Sequence, residues 1–276
     1  MSPSPTQQDR DRGWIVPIGG AEDKLHEPTI LRRFIEISGG ADARIVVIPT
    51  ASQLDDTGSR YETIFRDLGA GHCRALAYAE RADADREDWF EVLRSATGIF
   101  FTGGNQLRIS GVLGGTRVAQ AIRRLNADGI TVGGTSAGAA ILPEHMIAYG
   151  STGGTPRAGM VSLSPGLGLT NRFVIDQHFR ERDRLGRLLS ALSYNPFAMG
   201  IGIDENTAAF ISPDNVVHVF GSGTITVVDV SAVQHTSVSD AGEGDPLCIT
   251  NVKLHILPEG GRFDLRNFEA HPPCET

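Results

Sequence analysis

Cysteine is scarce in this 276-residue chain: Cys73, Cys248 and Cys274 are scattered and odd in number. Their spacing matches neither a disulfide framework nor a metal-ligand motif, which removes the bridge-stapled secreted folds and a cysteine metal centre, and makes a reducing cytoplasm the simplest compartment. Basic charge is short as well. With a net charge of −8 the chain lacks the positive surface of a general nucleic-acid binder. No apolar run is long enough to span a membrane. Residues 1–12 are polar, charged and proline-bearing, without the apolar stretch of a secretory signal, so they are expected to be a disordered tail ahead of a single domain at residues 13–276. Linkers, low-complexity runs and internal repeats are absent, and Gly19-Gly20 lacks the spacing of a phosphate loop. No metal or cofactor is implied.

What is present is an ordinary globular composition, 40% apolar and 21% charged, with 33 glycines available for turns and close backbone approaches. Apolar β-branched runs at residues 14–18, 44–49, 98–102 and 130–132 alternate with helical periodicity at 28–38, 59–68, 86–95 and 116–127. A short strand is expected at 74–78, and Asp85 is placed to cap the helix that follows. This alternation implies an α/β fold, a mostly parallel sheet flanked by helices, with sites at the carboxyl ends of the strands. Further strands are expected at 173–179 and 199–203. The last third changes character: short runs at 207–211, 216–220, 224–229 and 251–257 with turn residues between them predict a short antiparallel C-terminal extension.

The most informative stretch is Ile130-Thr131-Val132-Gly133-Gly134-Thr135-Ser136-Ala137-Gly138-Ala139-Ala140, a strand, a tight turn and a helix start. Small residues around Ser136 avoid the clashes of such a turn, which lifts the serine off the sheet and aims the new helix's N–H groups at whatever the serine attacks. Ser136 therefore reads as a nucleophile. A serine hydroxyl needs a base and an acid to orient that base. Of eight histidines, seven sit in loops or alternating strands with little around them, whereas His178 ends an apolar strand and is followed by Arg180, Arg182, Arg184 and Arg187. The bland alternative is that this charge run is a solvated helix face. For the acid, Asp176 shares a strand face with His178, but Glu205, after the strand at 199–203, is better placed to reach a neighbouring strand end; Asp204 should point the other way. The order Ser, His, Glu differs from the Ser, acid, His order of the α/β-hydrolases. For an oxyanion hole, the N–H of Ala137 and donors from the loop at Gly103, Gly104 and Asn105 are the candidates.

Taken together, Gly19-Gly20-Ala21-Glu22-Asp23-Lys24, Gly103-Gly104-Asn105-Gln106, Gly134-Thr135-Ser136-Ala137-Gly138, Asp176-Gln177-His178-Phe179, the Arg182, Arg184 and Arg187 series and Gly202-Ile203-Asp204-Glu205-Asn206 resemble the cyanophycinase family. The resemblance covers nearly the whole chain after residue 13. It implies a flavodoxin-like, class I glutamine-amidotransferase-like fold, Ser136 as nucleophile, His178 as base, Glu205 as orienting acid, and a homodimer. Gln106, Asp176, Gln177, Arg182, Arg184 and Arg187 map to positions that line the family's substrate pocket, with Asp176 a candidate partner for a guanidinium. The implied substrate is cyanophycin, a poly-aspartate backbone with arginine on each β-carboxyl, or another β-aspartyl peptide, cut to β-Asp-Arg dipeptides. Two departures or rivals accompany this reading. Asn105 stands where the family often has Asp, and an α-aspartyl dipeptidase of the peptidase E type or a non-catalytic binding protein would share the fold. An amidotransferase would carry cysteine, rather than Ser136, at the turn.

Overall fold

The computed structural model describes residues 2–6 and 11–273. Of the expected tail, residues 1 and 7–10 lie outside the described residues; Arg12 donates to the Ser4 carbonyl at 2.6 Å and to Asn126 Oδ1 at 3.1 Å. Strands Ile15–Ile18 (β1), Arg44–Ile48 (β2), His72–Ala75 (β3), Gly98–Phe101 (β4) and Thr131–Thr135 (β5) form a parallel sheet in the order β1-β5-β4-β2-β3. β1, β4 and β5 are buried at every position and β2 at all but Arg44, because both faces are covered, whereas β3 at the sheet edge is half exposed. Ile45, Val47 and Phe100 face one core with Phe34 and Phe65, while Val46, Ile48, Ile99 and Phe101 face the other. That division is the two-residue period of a strand.

Helices Thr29–Ile37 (α1) and Thr57–Asp67 (α2) cover the first face. Ile30, Leu31, Phe34 and Ile35 make α1's buried stripe, and Phe34, Phe65 and Phe100 meet as an aromatic trio with centroids 5.2–5.9 Å apart. Helices Glu87–Arg94 (α3), Gln106–Leu113 (α4) and Arg117–Ala127 (α5) cover the second face through Leu93, Ile109, Leu113, Val118 and Ile122. Thr116 caps α5 by accepting from the Ala119 N–H. Asp85 does not cap α3. It lies in the 3₁₀ turn Arg81–Asp85, where Glu80 and Asp83 form the capping box, and α3 starts after Arg86 without a side-chain cap.

After β5 come a one-turn helix, Ala137–Ala140 (α6), and a hairpin of His145–Gly150 (β6) with Val161–Pro165 (β7). Then follow Phe173–Gln177 (β8), Leu185–Tyr194 (α7), Met199–Ile203 (β9), Thr207–Ile211 (β10), Val216–Gly221 (β11) and Thr224–Asp229 (β12). The last strands are the two-residue pair His235–Thr236 (β13) and Ile249–Thr250 (β14), then Lys253–Pro258 (β15), Arg262–Asp264 (β16) and Glu269–His271 (β17).

The C-terminal third divides between two sheets. Strands β10, β11, β16 and β17 extend the main sheet antiparallel from β1, making nine strands among the described residues. Strands β12 and β15 instead join β9 and β8 in a four-stranded sheet ordered β15-β12-β9-β8, in which β8 and β9 are parallel. Three turns carry the chain between these sheets: Asp204-Glu205-Asn206 links β9 to β10, Gly221-Ser222-Gly223 links β11 to β12, and Glu259-Gly260-Gly261 links β15 to β16. The first of these turns places Glu205 where the two sheets meet.

Candidate active site

Three strand ends converge. At the carboxyl end of β5, Ser136 adopts φ 53° and ψ −112°, a left-handed conformation that a non-glycine residue holds only under tertiary constraint. The chain then enters α6 at once. A Cβ on Gly134 would lie 2.5 Å from the Gly138 carbonyl oxygen, and one on Gly138 would lie 2.3 Å from that of Phe101, so both flanking glycines are required by close backbone packing. The serine side chain is thereby lifted from the sheet beside the N-terminus of α6.

His178 arrives from the second sheet. Gln177 of β8 is in register with Ile203 of β9, so His178 and Glu205, just beyond them, emerge at neighbouring ends. Ser136 Oγ lies 2.8 Å from His178 Nε2, and His178 Nδ1 lies 2.6 Å from Glu205 Oε1. With Nδ1–H donating to the Glu205 carboxylate, Nε2 is left to accept from the serine hydroxyl. The His178 N–H donates to the Gly19 carbonyl at 2.8 Å and the Asn206 N–H to that of Gly20 at 2.8 Å, which locks both turns to the end of β1. Glu181 Oε2 accepts from the Glu205 N–H at 3.1 Å. Asp204 turns inward, accepting from the Thr224 N–H and hydroxyl and from the Arg180 N–H. Burial lowers the His178 pKa below its ordinary value; Arg182 and Arg184 push it the same way, and the Glu205 carboxylate opposes them. The ring is therefore neutral near pH 7, as a proton acceptor must be.

Ala137 is the first residue of α6, and neither its N–H nor that of Gly104 has an acceptor among the described residues. Asn105 departs from the expected role. Its N–H donates to the Ala51 carbonyl at 2.9 Å and is therefore not free for an oxyanion, and its Oδ1, an acceptor, caps α4 by accepting from the Leu107 N–H at 2.9 Å. Of the candidate donors, the N–H groups of Ala137, Gly103 and Gly104 have no acceptor among the described residues.

The residues expected to line the substrate pocket fall into two kinds. Asp176 is fully buried, and the reading in which it faces a substrate guanidinium is corrected by the chain's own arginines: Arg187 binds both its oxygens, Nε to Oδ2 at 2.6 Å and Nη2 to Oδ1 at 2.5 Å, and Arg184 adds a contact at 3.3 Å. Arg184 also donates to the Gln177 carbonyl at 2.5 Å and to its Oε1 at 3.2 Å, and burial pushes its guanidinium down to about 10. Gln106 is tied to the Ile147 and Ala148 carbonyls at 3.1 and 2.8 Å. Arg182 stands apart: it is exposed, its backbone N–H donates to the His178 carbonyl at 3.2 Å, and its side chain has no ion pair among the described residues. The sequence could not distinguish Arg182 from Arg184 and Arg187, because the distinction depends on which of them faces buried Asp176.

A cleft of about 290 Å³ opens over Ser136 and His178. Its walls come from the segments after β1, β2 and β4: Glu22, Lys24, Leu54, Arg60, Tyr61 and Gly103 among them. Sequence reasoning assigned no role to Glu22. Its buried carboxylate accepts from the Tyr61 hydroxyl at 2.6 Å and the Thr135 hydroxyl at 2.5 Å, and Lys24 Nζ lies 2.9 Å away. The only signal was its place beside Gly19-Gly20 at a strand end. A larger cleft, about 420 Å³, is bounded by Arg12, Ile15, Phe173 and Ile211 at the other end of β1 and β8, and has no histidine in its lining.

The family model described as "Peptidase family S51" matches residues 15–219. A curated protein named "Cyanophycinase" from Geminocystis herdmanii is 43% identical over 264 residues, covering 95% of this chain and 96% of its own length. Another of that name from Synechococcus elongatus is 41% identical over 276 residues, covering 99% of this chain and 86% of its own. Among solved structures, a peptidase from an acI-B1 Actinobacterium superposes with a TM-score of 0.66 at 21% identity, covering 93% of this chain and 98% of that one, a likeness of fold. A putative peptidase E protein from Listeria monocytogenes gives a TM-score of 0.51 at 18% identity over 76% of this chain and 98% of its own.

Proposed function

This chain belongs to peptidase family S51, and from that premise we propose that it is a cyanophycinase: a serine-type exopeptidase that hydrolyses multi-L-arginyl-poly-L-aspartate to β-Asp-Arg dipeptides. The observation that carries this reading is the identity of 41–43% to curated cyanophycinases over nearly the whole chain. The geometry around Ser136 supplies a mechanism for it.

Ser136 Oγ attacks the aspartyl carbonyl carbon while its proton passes to His178 Nε2 at 2.8 Å. Glu205, at 2.6 Å from Nδ1, holds the tautomer and stabilises the imidazolium. The carbonyl oxygen becomes an oxyanion and takes the N–H groups of Ala137 and Gly104; a preorganised donor of this kind contributes ~2.7–4 kcal/mol to the transition state. His178 then returns the proton to the leaving amine as the C–N bond breaks, leaving an acyl ester on Ser136. Water, deprotonated by His178, attacks the ester and releases the acid. Each polymer unit carries one free arginine carboxylate, and Arg182 is the unpaired cation beside His178 that can hold it in fork geometry. Arg184 and Arg187 act indirectly, by fixing Asp176 and Gln177 on β8.

A homodimer in the cytoplasm accompanies this reading on the strength of the family resemblance, and light scattering of the purified chain tests the first point. The substrate is tested by offering the purified enzyme cyanophycin and α-Asp-X dipeptides side by side. Turnover of the polymer and not of the dipeptides is expected. Preference for the dipeptides would assign the peptidase E activity instead, and hydrolysis of neither by folded protein would leave a binding function.

A further inference from the structure

Two adjacent polymer units flank the bond that is cut, so two arginine carboxylates have to be placed at once. The series after β8 provides for only one of them, because Arg184 and Arg187 are engaged with Asp176, Arg180 pairs with Glu181 and Asp204, and only Arg182 has no ion pair among the described residues. The cations that line the cleft itself come from a different part of the chain. Lys24, one of two lysines in the sequence, lies in the loop after β1, and Arg60 lies on α2; both line the cleft that holds Ser136 and His178.

Their arrangement is built. Glu22 is 3% exposed and gathers the Tyr61 hydroxyl, the Thr135 hydroxyl and the Lys24 ammonium from three separate segments. Lys24 Nζ lies 2.9 Å from Glu22 Oε1 in an ion pair and donates to the Glu22 carbonyl at 3.1 Å, and an ammonium has three N–H groups. It stands 5.7 Å from the Tyr61 ring centroid, and burial raises the Tyr61 phenol well above its ordinary value, which keeps it a neutral donor to Glu22. The ammonium is thus held on Glu22, whose other carboxylate oxygen accepts from Thr135 beside the nucleophile, and it has a donor to spare. Arg60, the next residue before Tyr61, adds an exposed guanidinium with no ion pair among the described residues. Leu54 and Ile64 supply apolar surface in the same wall, which suits the methylenes of an arginyl side chain.

We propose that the wall of Lys24, Arg60 and Tyr61, organised by buried Glu22, is a second carboxylate-recognising subsite, which holds the arginyl carboxylate of the polymer unit across the scissile bond from the unit taken by Arg182. This rests on the cyanophycinase reading.

Three synthetic two-unit substrates test it: the parent β-Asp-Arg dimer, and two forms in which agmatine replaces arginine in one unit or the other, which deletes one carboxylate at a time. On the parent, Arg60→Met and Lys24→Met each lower kcat/KM about tenfold to a hundredfold, the usual worth of a charge-assisted contact. On one agmatine form the wild type falls by a similar factor and Arg60→Met adds no further loss. On the other form Arg60→Met loses as much as on the parent. Arg182→Met gives the mirror pattern. Equal losses for Arg60→Met on all three substrates, or no loss on any, would overturn the subsite while leaving the activity standing. Wild-type enzyme that cleaves none of the three refutes the cyanophycinase reading, and the subsite with it.

Discussion

Replacing Gly20 with alanine disturbs the nucleophile–base pair without touching either residue. Gly20 sits at the end of β1 with φ +103°, directly beneath the His178 ring, and a Cβ there would lie 2.3 Å from Cε1 and 2.6 Å from Nε2. Ordinary contact begins near 3.4 Å, so the ring has to recede by about 1 Å. Starting from 2.8 Å, that separation takes Ser136 Oγ and Nε2 beyond hydrogen-bonding range. A 1 Å misplacement costs about 10²-fold, and loss of a general base 10²–10⁴-fold, so Gly20→Ala is expected to lower kcat/KM by about 10²–10⁴, or roughly 2.7–5.5 kcal/mol. The backbone contributes its own strain, of order 1–3 kcal/mol of stability. Gly69→Ala isolates that second effect, because Gly69 has φ +98° and nothing within 4 Å of a built Cβ. Initial rates on cyanophycin, with thermal melts in parallel, read both. Gly69→Ala should lose stability and keep its rate, while Gly20→Ala should lose both, and the Gly20→Ala/His178→Ala double variant should be no slower than His178→Ala alone. A folded Gly20→Ala enzyme with the wild-type rate, or a double variant slowed by the full product of the two factors, would refute the claim that the histidine works from this position.

The pH profile carries a second expectation. His178 must be neutral to accept the serine proton, so kcat/KM rises with pH through its pKa, and burial places that acid limb below the ordinary histidine value near 6.5. Arg182→Met removes a charge that disfavours the imidazolium, so the limb should move to higher pH; a limb that stays put or moves down contradicts the assignment. Stability responds to the Asp176 cluster. Arg187→Met strips a fully buried carboxylate of its bidentate partner while leaving Arg184 at 3.3 Å, and should cost about 3 kcal/mol, at the lower end for a broken buried pair. Denaturant unfolding checks this, and a change within 0.5 kcal/mol would show that the cluster contributes little. Glu205→Gln keeps the shape of the acid and removes its charge, and is expected to reduce kcat far more than it raises KM; a pure KM effect would assign Glu205 to substrate binding instead.

Much of the fold was legible because the parallel half depends on local pattern. Residues 45–48 and 98–101 are apolar at every position, and only a strand buried on both faces needs that. The elbow at Ser136 was legible for a similar reason, since an apolar strand, small residues and a helix start lie next to one another in the chain. Helix α4 was hidden by the glycines around it, Gly104 before and Gly111 and Gly114 within and after, although Asn105 caps it. The hairpin of β6 and β7 was missed as well, and the division of the C-terminal third between two sheets follows from pairings that no local stretch encodes. In the site, Arg187 lies eleven residues from Asp176, and its grip on that carboxylate depends on α7 packing against β8. Glu22 meets a tyrosine 39 residues away and a threonine 113 away. Long-range partners of buried charge are settled by topology, and there the expectation of a substrate-facing Asp176 gave way.

The most direct measurement is mass spectrometry of the products released from purified cyanophycin by the wild-type chain and by Ser136→Ala at equal concentration. Wild-type enzyme should release β-Asp-Arg dipeptide as its principal product and Ser136→Ala none above the uncatalysed background. Dipeptide release undiminished in Ser136→Ala, or free arginine in place of the dipeptide, would contradict backbone cleavage through an acyl-enzyme at this serine.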